Sequence, residues 1–248
     1  MVNILLRTAR AKPRVRIEVV RREDFTDSQR DELHALSNAL AAEDAAHFAV
    51  HAASNEVVHI FRRIDTGQIV GFQFWTTRPV DLPRSRMIVG GKLRVLPEFR
   101  NRGVHLLSGL AFYLQQQIRH PCTRYYRLSL ASMFGFVSLT QALAEYHLFD
   151  VAQGGDEAEA IRKATLSWAG ENHLVHREDS GVFFVDIFIT EETFAQYSAR
   201  FFEKKTARAY AAANPSYRRN GCYIAFWFRF GSRNILALVR TVARKLWA

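Results

Sequence analysis

The chain of 248 residues is 48% hydrophobic and 23% charged, a composition typical of a globular protein with a sizeable core. No apolar run reaches the length of a membrane span, and the first residues make a poor secretory signal, so we expect a cytoplasmic protein. The two cysteines, Cys122 and Cys222, form no metal-binding motif and indicate inert thiols in a reducing compartment.

The net charge of +10 is concentrated at the two ends of the chain. Residues 1–25 carry 7 Lys/Arg and 3 Asp/Glu, residues 26–190 carry 16 and 18, and residues 191–248 carry 11 and 3, which gives +4, −2 and +8. The excess indicates either a solvated basic surface or an anionic partner, such as an acidic carrier protein, a phosphorylated cofactor, a membrane surface or nucleic acid. Beyond charge, the sequence has no nucleic-acid recognition motif, so we do not expect a nucleic-acid partner.

The first half of the chain is predicted to alternate between strands and helices. Alternating apolar residues indicate a strand over 15–19, and the sequence Asp65-Thr66-Gly67 predicts a β-hairpin turn. Thr26 or Asp27 is suited to cap the helix after the first strand. We expect a basic arm over 1–14, helices over 28–43 and 45–53, and strands over 15–19, 56–62, 68–76 and 87–95.

The second half is predicted to continue this alternation. Apolar residues recur at helical spacing from Val104 to Ile118, and His120-Pro121 ends that helix. We expect helices over 104–118, 135–146, 157–168, 191–213 and 234–247, and strands over 124–130, 181–189 and 222–230. The last helix is basic and amphipathic, which favours packing on its own domain and leaves membrane contact as an alternative.

The stretch over 87–117 is predicted to form a strand, a short basic turn and an amphipathic helix. The first backbone N–H groups of such a helix have no intrahelical partners, and together with the positive end of the helix dipole they form an anion site. Gly103 has no Cβ, so a phosphate is able to approach the backbone closely, and Arg100 and Arg102 add positive charge. The spacing alone is equally typical of an ordinary packing unit.

The segment LRVLPEFRNRGVH, from Leu93 to His105, resembles the acyl-CoA-binding motif of the GCN5-related N-acetyltransferase (GNAT) superfamily. Arg100 and Gly103 match the Arg and the first Gly of that motif, whereas His105 stands where the family prefers Gly or Ala. A histidine there is able to donate to a phosphate. The resemblance implies a donor-binding site made of Leu93, Arg94, Val95, Arg100, Asn101, Arg102, Gly103, Val104 and His105.

The resemblance also implies the fold class. We expect a GNAT-like α/β fold with a mixed central sheet of about seven strands and helices on both faces. The acyl-CoA-binding core would cover 15–150, and 151–248 would complete the sheet with extra helices and the basic terminal helix. In this family the strands equivalent to 87–95 and 124–130 are parallel neighbours that separate at their ends. The pantetheine arm of the donor lies in the gap between them.

The function implied by the resemblance is an N-acyltransferase. It would transfer an acyl group, acetyl or longer, from acyl-CoA as cosubstrate to an amine of unknown identity by direct attack, without a metal. The reaction needs a base for the amine proton, a donor for the oxyanion and accurate positioning of the two substrates.

The candidate catalytic residues are Tyr146, Glu43 and His47. The family's acid is a tyrosine in the pattern Asn-x-x-Ala-x-x-x-Tyr-x-x-x-Gly-Phe, and anchoring this pattern on Phe149 leaves its Asn, Tyr and Gly unmatched. Tyr146 lies two residues from the expected position and is the substitute. Glu43 and His47 lie around the second helix, which in this family borders the acceptor site, and they are the candidate bases.

Two other functions remain open at this point. The first is an N-acyl synthase that takes its acyl group from acyl carrier protein, because the basic C-terminal region suits an acidic carrier. The second is a non-catalytic module that binds an acyl ligand or another anionic partner, because the family's Asn and Tyr are missing.

Overall fold

The structure is a computed structural model that describes residues 14–41, 43–149, 154–177 and 180–247. All but the last residue of the predicted arm over 1–14 lie outside these ranges. The strands are β1 (Val15–Arg21), β2 (Val57–Arg63), β3 (Ile69–Pro79), β4 (Ser85–Val95), β5 (Arg124–Ala131), β6 (His147–Leu148), β7 (Val175–His176), β8 (Val182–Phe184) and β9 (Cys222–Arg229). The helices are α1 (Asp27–Asn38), α2 (Ala45–Ala53), α3 (Val104–Arg119), α4 (Met133–Thr140), α5 (Asp156–Glu171), α6 (Glu191–Ala195), α7 (Ala199–Phe202), α8 (Lys205–Ala213) and α9 (Ser232–Trp247). None of these helices has the length and apolar character needed to cross a membrane.

The strands form one mixed sheet in the order β1-β2-β3-β4-β5-β9-β8-β7, and β6 also pairs with β9. Within the described ranges, β4 and β5 are the parallel pair and the other pairs are antiparallel. The predicted mixed α/β sheet is confirmed, but these ranges form nine strands rather than about seven. The two-residue strands β6 and β7 are too short to leave a periodic pattern in the sequence.

Helices cover both faces of the sheet, as predicted. Ile88 of β4 points into a core shared with α3, α4, α8 and α9, and we call this side the α3 face. Met87 and Val89 point the other way, into a core shared with α5, and we call that side the α5 face. Helices α1 and α2 cover β2 and β3 on the α5 face, where Ser54 after α2 donates to Asn172 after α5 at 2.9 Å.

β4 and β5 separate partway along their length. They pair in parallel as far as Val89 and Leu128, and then continue to Val95 and Ala131 without pairing to each other. The separation of these two strands, which the resemblance implied, is therefore confirmed. The open stretch of β4 leaves backbone N–H and C=O groups facing the gap without a partner strand.

Gly90 and Gly91 stand at the point of separation and face opposite sides of the sheet. A Cβ on Gly90 would lie 2.8 Å from Nη2 of Arg127 on the α3 face. A Cβ on Gly91 would lie 2.7 Å from Nε2 of His51 on the α5 face. Both distances are shorter than real Cβ contacts, so only glycine at these two positions lets Arg127 and His51 lie so close to the backbone of β4.

Two predicted elements of the second half are shorter than expected. The helix predicted over 135–146 ends at Thr140, because the Asn234 side chain of α9 accepts hydrogen bonds from the backbone N–H groups of Ala144 and Glu145 at 3.0 Å each. The strand predicted over 181–189 ends at Phe184. Asp186 adopts a φ of 52°, in the left-handed region, which is incompatible with a continuing strand.

The single helix predicted over 191–213 is wrong, because the structure has three short helices there, α6, α7 and α8. The breaks let aromatic residues of successive helices gather around Phe134. Its ring stacks on Tyr197 at 4.0 Å and lies 5.3 Å from Phe194 and 5.4 Å from Phe201. Periodicity predicted the helical character of this segment, whereas the breaks depend on a side chain sixty residues earlier in the chain.

Candidate active site

A cavity of about 980 Å³ passes through the gap between β4 and β5. On the α3 face its walls include Leu106 and Gly109 of α3, and on the α5 face they include His47 and His51 of α2. Phe134 and the short helices α6 and α7 close one side. The cavity therefore connects the two faces of the sheet at the point where the strands separate, so two substrates could reach one centre from opposite sides.

The turn before α3 lies at the open end of the gap. Gly103 is the N-cap residue of α3, with a φ of 75°, and Asn101 also has a positive φ, of 62°. The Arg100 side chain donates to the carbonyl of Val95 at 3.1 Å and to Oε1 of Gln196 at 2.8 Å, which fixes the turn to β4 and to α6. The free N–H groups of the first turn of α3 are suited to bind a phosphate.

The predicted donor-binding residues mostly line this cavity. Arg102 is directed elsewhere, because it donates to the carbonyl of Glu98 at 2.8 Å and its guanidinium lies over the Phe99 ring at 4.7 Å. Gly103 forms the cap of α3 instead of the cavity wall. The predicted residues that line the cavity are Leu93, Arg94, Val95, Arg100, Asn101, Val104 and His105. Their roles in binding a donor stay predictions.

His105 pairs with the helix across the gap. Its Nε2 lies 3.0 Å from Oγ of Ser138 on α4. Burial, together with the nearby cations Lys245 and Arg127, lowers the pKa of His105 to about 3. The ring is therefore neutral at physiological pH, and it would offer a phosphate a hydrogen bond but no charge.

The candidate base Glu43 belongs to a buried charged cluster on the α5 face. Its carboxylate contacts Lys92, lies 3.5 Å from Nη2 of Arg94, and accepts a hydrogen bond from Ser37 at 2.9 Å. It also lies 3.2 Å from Nδ1 of His47. With its oxygens occupied in this way and its side chain 1% exposed, Glu43 is placed to orient His47 rather than to take a proton from a substrate.

A β-bulge in β4 brings Lys92 into this cluster. The register between β3 and β4 shifts between Phe72 and Phe74, so that two residues of β4 lie opposite Gln73, and Lys92 has a φ of 44°. Burial, together with the neighbouring Arg94, lowers the pKa of Lys92 to about 6. The contact with Glu43 acts in the opposite direction, but a single carboxylate cannot balance two buried cations.

The candidate acid Tyr146 lies away from the cavity walls. It is in the loop after α4, and its ring packs edge-on against Phe136 at 5.8 Å and Phe226 at 6.0 Å. Burial raises its pKa. The geometry gives Tyr146 a packing role, and its prediction as an acid receives no support, because the helix that was to carry it ends six residues earlier, at Thr140.

The sequence analysis missed Arg127, which lines the cavity on the α3 face and is 7% exposed. Its guanidinium stacks over the Trp75 ring at 4.3 Å, and its Nε donates to Oγ of Ser129 at 3.1 Å. The signal was present in the alternation of β5, since Arg127 shares the α3 face with the core residue Tyr125, two positions earlier in the strand. Among the residues that the structure describes, no group of three His, Cys, Asp or Glu side chains is arranged to hold a metal.

Gly103→Ala is expected to weaken CoA binding and to cost about 1–2 kcal/mol of stability. The residue has a φ of 75°, and an added Cβ would lie 3.1 Å from Cβ of Lys245 on α9. Calorimetric titration with CoA and urea unfolding measure the two effects. Gly154→Ala is the matched control, because a Cβ there meets nothing within 4 Å. Equal CoA affinity in the two variants would contradict a phosphate site at this turn.

Stability is expected to fall as the pH decreases from about 6.5 to about 4. Burial lowers the pKa of His59 from 6.5 to about 4, and burial with His47 and Arg94 lowers that of His51 to about 4. In this window the unfolded chain takes up protons at both residues and the folded chain does not, so acid favours unfolding. Unfolding free energies measured in urea from pH 4 to pH 7 test this, and His59→Gln should reduce the slope. A flat profile would show that neither histidine is held neutral.

Comparisons with known proteins found similar solved structures at low sequence identity. No family model and no curated protein sequence matches the chain. Among solved structures, GCN5 of Tetrahymena is similar at 14% identity and a TM-score of 0.40, over 58% of this chain and 84% of that one. The NAA60 protein of Arabidopsis thaliana with a bisubstrate analogue is similar at 11% identity and a TM-score of 0.36, over 54% of this chain and 87% of that one. The GNAT-family N-acetyltransferase YhbS of Escherichia coli with CoA is similar at 13% identity and a TM-score of 0.33, over 51% of this chain and 67% of that one.

These similarities concern the fold alone. The mixed sheet with helices on both faces and the separation of the parallel strands β4 and β5 are the features that the resemblance of Leu93 to His105 implied. The chain has a GNAT-like fold.

Proposed function

We propose that the protein is an N-acyltransferase that uses an acyl-CoA thioester as the donor and an amine as the acceptor. The observation that carries this proposal is the gap between β4 and β5, which opens into a cavity of about 980 Å³ and ends at the turn before α3. The turn supplies an anion site for phosphates, and the gap supplies unpaired backbone for the pantetheine arm.

In this arrangement the donor enters from the turn at Arg100 and Gly103, and its thioester lies near Gly90 and Gly91. The amine approaches from the α5 face, past His47 and His51. Its nitrogen attacks the thioester carbonyl, the amide bond forms, and the thiol leaves. Unpaired backbone N–H groups on the open stretch of β4 are suited to stabilise the oxyanion.

His47 is the residue best placed to accept the proton that the amine loses. It lines the cavity, and the buried Glu43 fixes its ring through Nδ1 at 3.2 Å. This geometry combines a base with a carboxylate that orients it, as general-base catalysis requires. Glu43 thereby acts as a positioning residue.

Thiol release from acyl-CoA in the presence of amines tests the proposal. A panel of acetyl-CoA and longer acyl-CoA esters is combined with a panel of primary amines, and free thiol is followed together with the mass of the amide. Calorimetric titration with CoA reports binding independently of turnover. Amide formation supports the enzyme, whereas CoA binding without turnover would favour the non-catalytic module, and absence of both would refute the proposal.

A donor attached to acyl carrier protein is the second candidate, and one observation favours it. Lys204 and Lys245 line the cavity, and Lys245 packs over Gly103 at the turn. Burial lowers the pKa of Lys245, and Arg244 and Lys204 add to this effect, so these cations lie close together. A basic rim at this place suits the acidic surface of a carrier. Equal rates with acyl-CoA and with an acylated carrier would show that the basic rim gives no preference for a carrier protein, and would contradict this second candidate.

A further inference from the structure

Arg127 stands at the inner end of the gap. It pairs with Ile88 across the last stretch of β4 and β5 before the strands separate. A Cβ on Gly90 of β4 would lie 2.8 Å from its Nη2, and a Cβ on Gly109 of α3 would lie 2.9 Å from its Nη1. Because these two glycines lack side chains, the guanidinium is able to lie against both backbones, and all three residues line the cavity.

Within the described ranges, no carboxylate neutralises this guanidinium. Its contacts are the Nε bond to Ser129 and the stacking on Trp75, and both leave the two Nη groups available. A buried cation is costly unless an anion pairs with it, and burial lowers the pKa of Arg127 to about 9. An anionic group bound in the cavity would complete this site.

Gln73 adds a second polar group at the same place. It is 3% exposed and lines the cavity, and its Oε1 is buried with no hydrogen-bond partner in the part of the chain that the structure describes. Its Nε2 lies 3.0 Å from the position that a Cβ on Gly90 would take. An unpaired buried carbonyl oxygen is costly as well, and the N–H groups of the same amide are able to donate to the anion that Arg127 binds.

We propose that Arg127 binds a carboxylate at the end of the acyl group, so that the donor is an ω-carboxyacyl thioester such as a succinyl or glutaryl ester. The inference rests on the proposed function, because it assigns the acyl group of that donor. The planar guanidinium presents two parallel N–H donors, which match the two oxygens of a carboxylate. Gln73 supplies a third donor.

The position of Arg127 decides which anion is meant. The phosphates of the donor belong at the turn before α3, at the open end of the gap, and the pantetheine arm extends from there toward Gly90 and Gly91. Arg127 lies against Gly109, one helical turn further along α3 than His105, on the face of the sheet opposite to His47. An anion that reaches this place while the thioester stays in the gap is part of the acyl group itself.

The test compares donors that differ only in the terminal carboxylate. Succinyl-CoA is compared with butyryl-CoA, and glutaryl-CoA with valeryl-CoA, by kcat/KM with one amine. We expect the carboxylated ester of at least one pair to be favoured by about tenfold or more. Arg127→Gln should abolish this preference, and Arg127→Lys should keep part of it. Arg124→Gln, at an exposed position of the same strand, is the matched control and should keep it in full.

The outcomes separate this inference from the proposed function. Turnover of butyryl-CoA and valeryl-CoA at rates equal to their carboxylated counterparts would overturn the inference and leave the acyltransferase intact. If no thioester is bound or consumed, the proposed function fails. If Arg127→Gln lowers the melting temperature and reduces kcat/KM for all donors by one factor, Arg127 has a structural role only. The comparison with the unaltered protein does not depend on any variant folding.

Discussion

Glu43→Gln lowers the free energy of unfolding by about 3–5 kcal/mol, because it leaves the buried Arg94 guanidinium without its carboxylate and Lys92 without its partner. The Glu43 side chain is 1% exposed, that of Lys92 is 2% exposed, and that of Arg94 is 10% exposed. Glutamine keeps the shape of the side chain and its bond with Ser37, but it removes the negative charge. Urea unfolding at pH 7 measures the loss.

A matched control and a double variant show whether charge is the cause. Glu32→Gln lies at an exposed position of α1 and should change stability by less than about 0.5 kcal/mol. Adding Lys92→Met to Glu43→Gln removes one of the two buried groups that lose their partner, so the double variant should be less destabilised than the sum of the two single variants. Additive effects would mean that Glu43 and Lys92 do not interact in solution.

The second large effect is expected at the acceptor side of the gap, where His47→Gln lowers kcat by about 10²–10⁴-fold. Glutamine can keep a hydrogen bond with Glu43 but cannot take a proton from the amine. The substitution is on a helix surface, with the side chain 32% exposed, so the fold should tolerate it. Single-turnover rates of amide formation measure the chemical step directly.

The pH dependence and a control complete this test. The loss should shrink as the pH approaches the pKa of the amine substrate, because a free amine needs no base to become neutral. His120→Gln, at an exposed position after α3, should keep the full rate. An unchanged kcat in His47→Gln would mean that bulk water or Lys92 accepts the proton of the amine. Lys92 has a pKa of about 6, which makes it the other base in this cluster.

Local sequence signals predicted the part of the fold that surrounds the gap between β4 and β5. The strand β4, the turn and α3 follow from one motif, and α2 was predicted with the bounds that the structure has, Ala45–Ala53. Thr26 caps α1 as expected, with its side chain accepting from the backbone of Gln29 at 3.2 Å. These features depend on residues within a few positions of one another, which is why periodicity and capping rules found them.

The features that sequence reasoning missed depend on contacts between distant segments. The bulge at Lys92 follows from its register with β3, and the helix after β5 ends because Asn234 binds the backbone of Ala144. The partners of Glu43 come from three different elements. An inward arginine such as Arg127 is visible in the alternation of β5, but only the structure shows that its neighbours are glycines and a tryptophan instead of an acid.

The position of β9 has a consequence for how the chain folds. This strand lies between β5 and β8, and it pairs Tyr126 with Arg229, so the sheet is completed by a segment about a hundred residues away in sequence. A chain stopped before β9 would expose the edge of β5, a row of unpaired backbone groups beside large apolar side chains. We therefore expect the donor-binding half to aggregate when it is produced alone, and the gap to form only after most of the polypeptide has been synthesised.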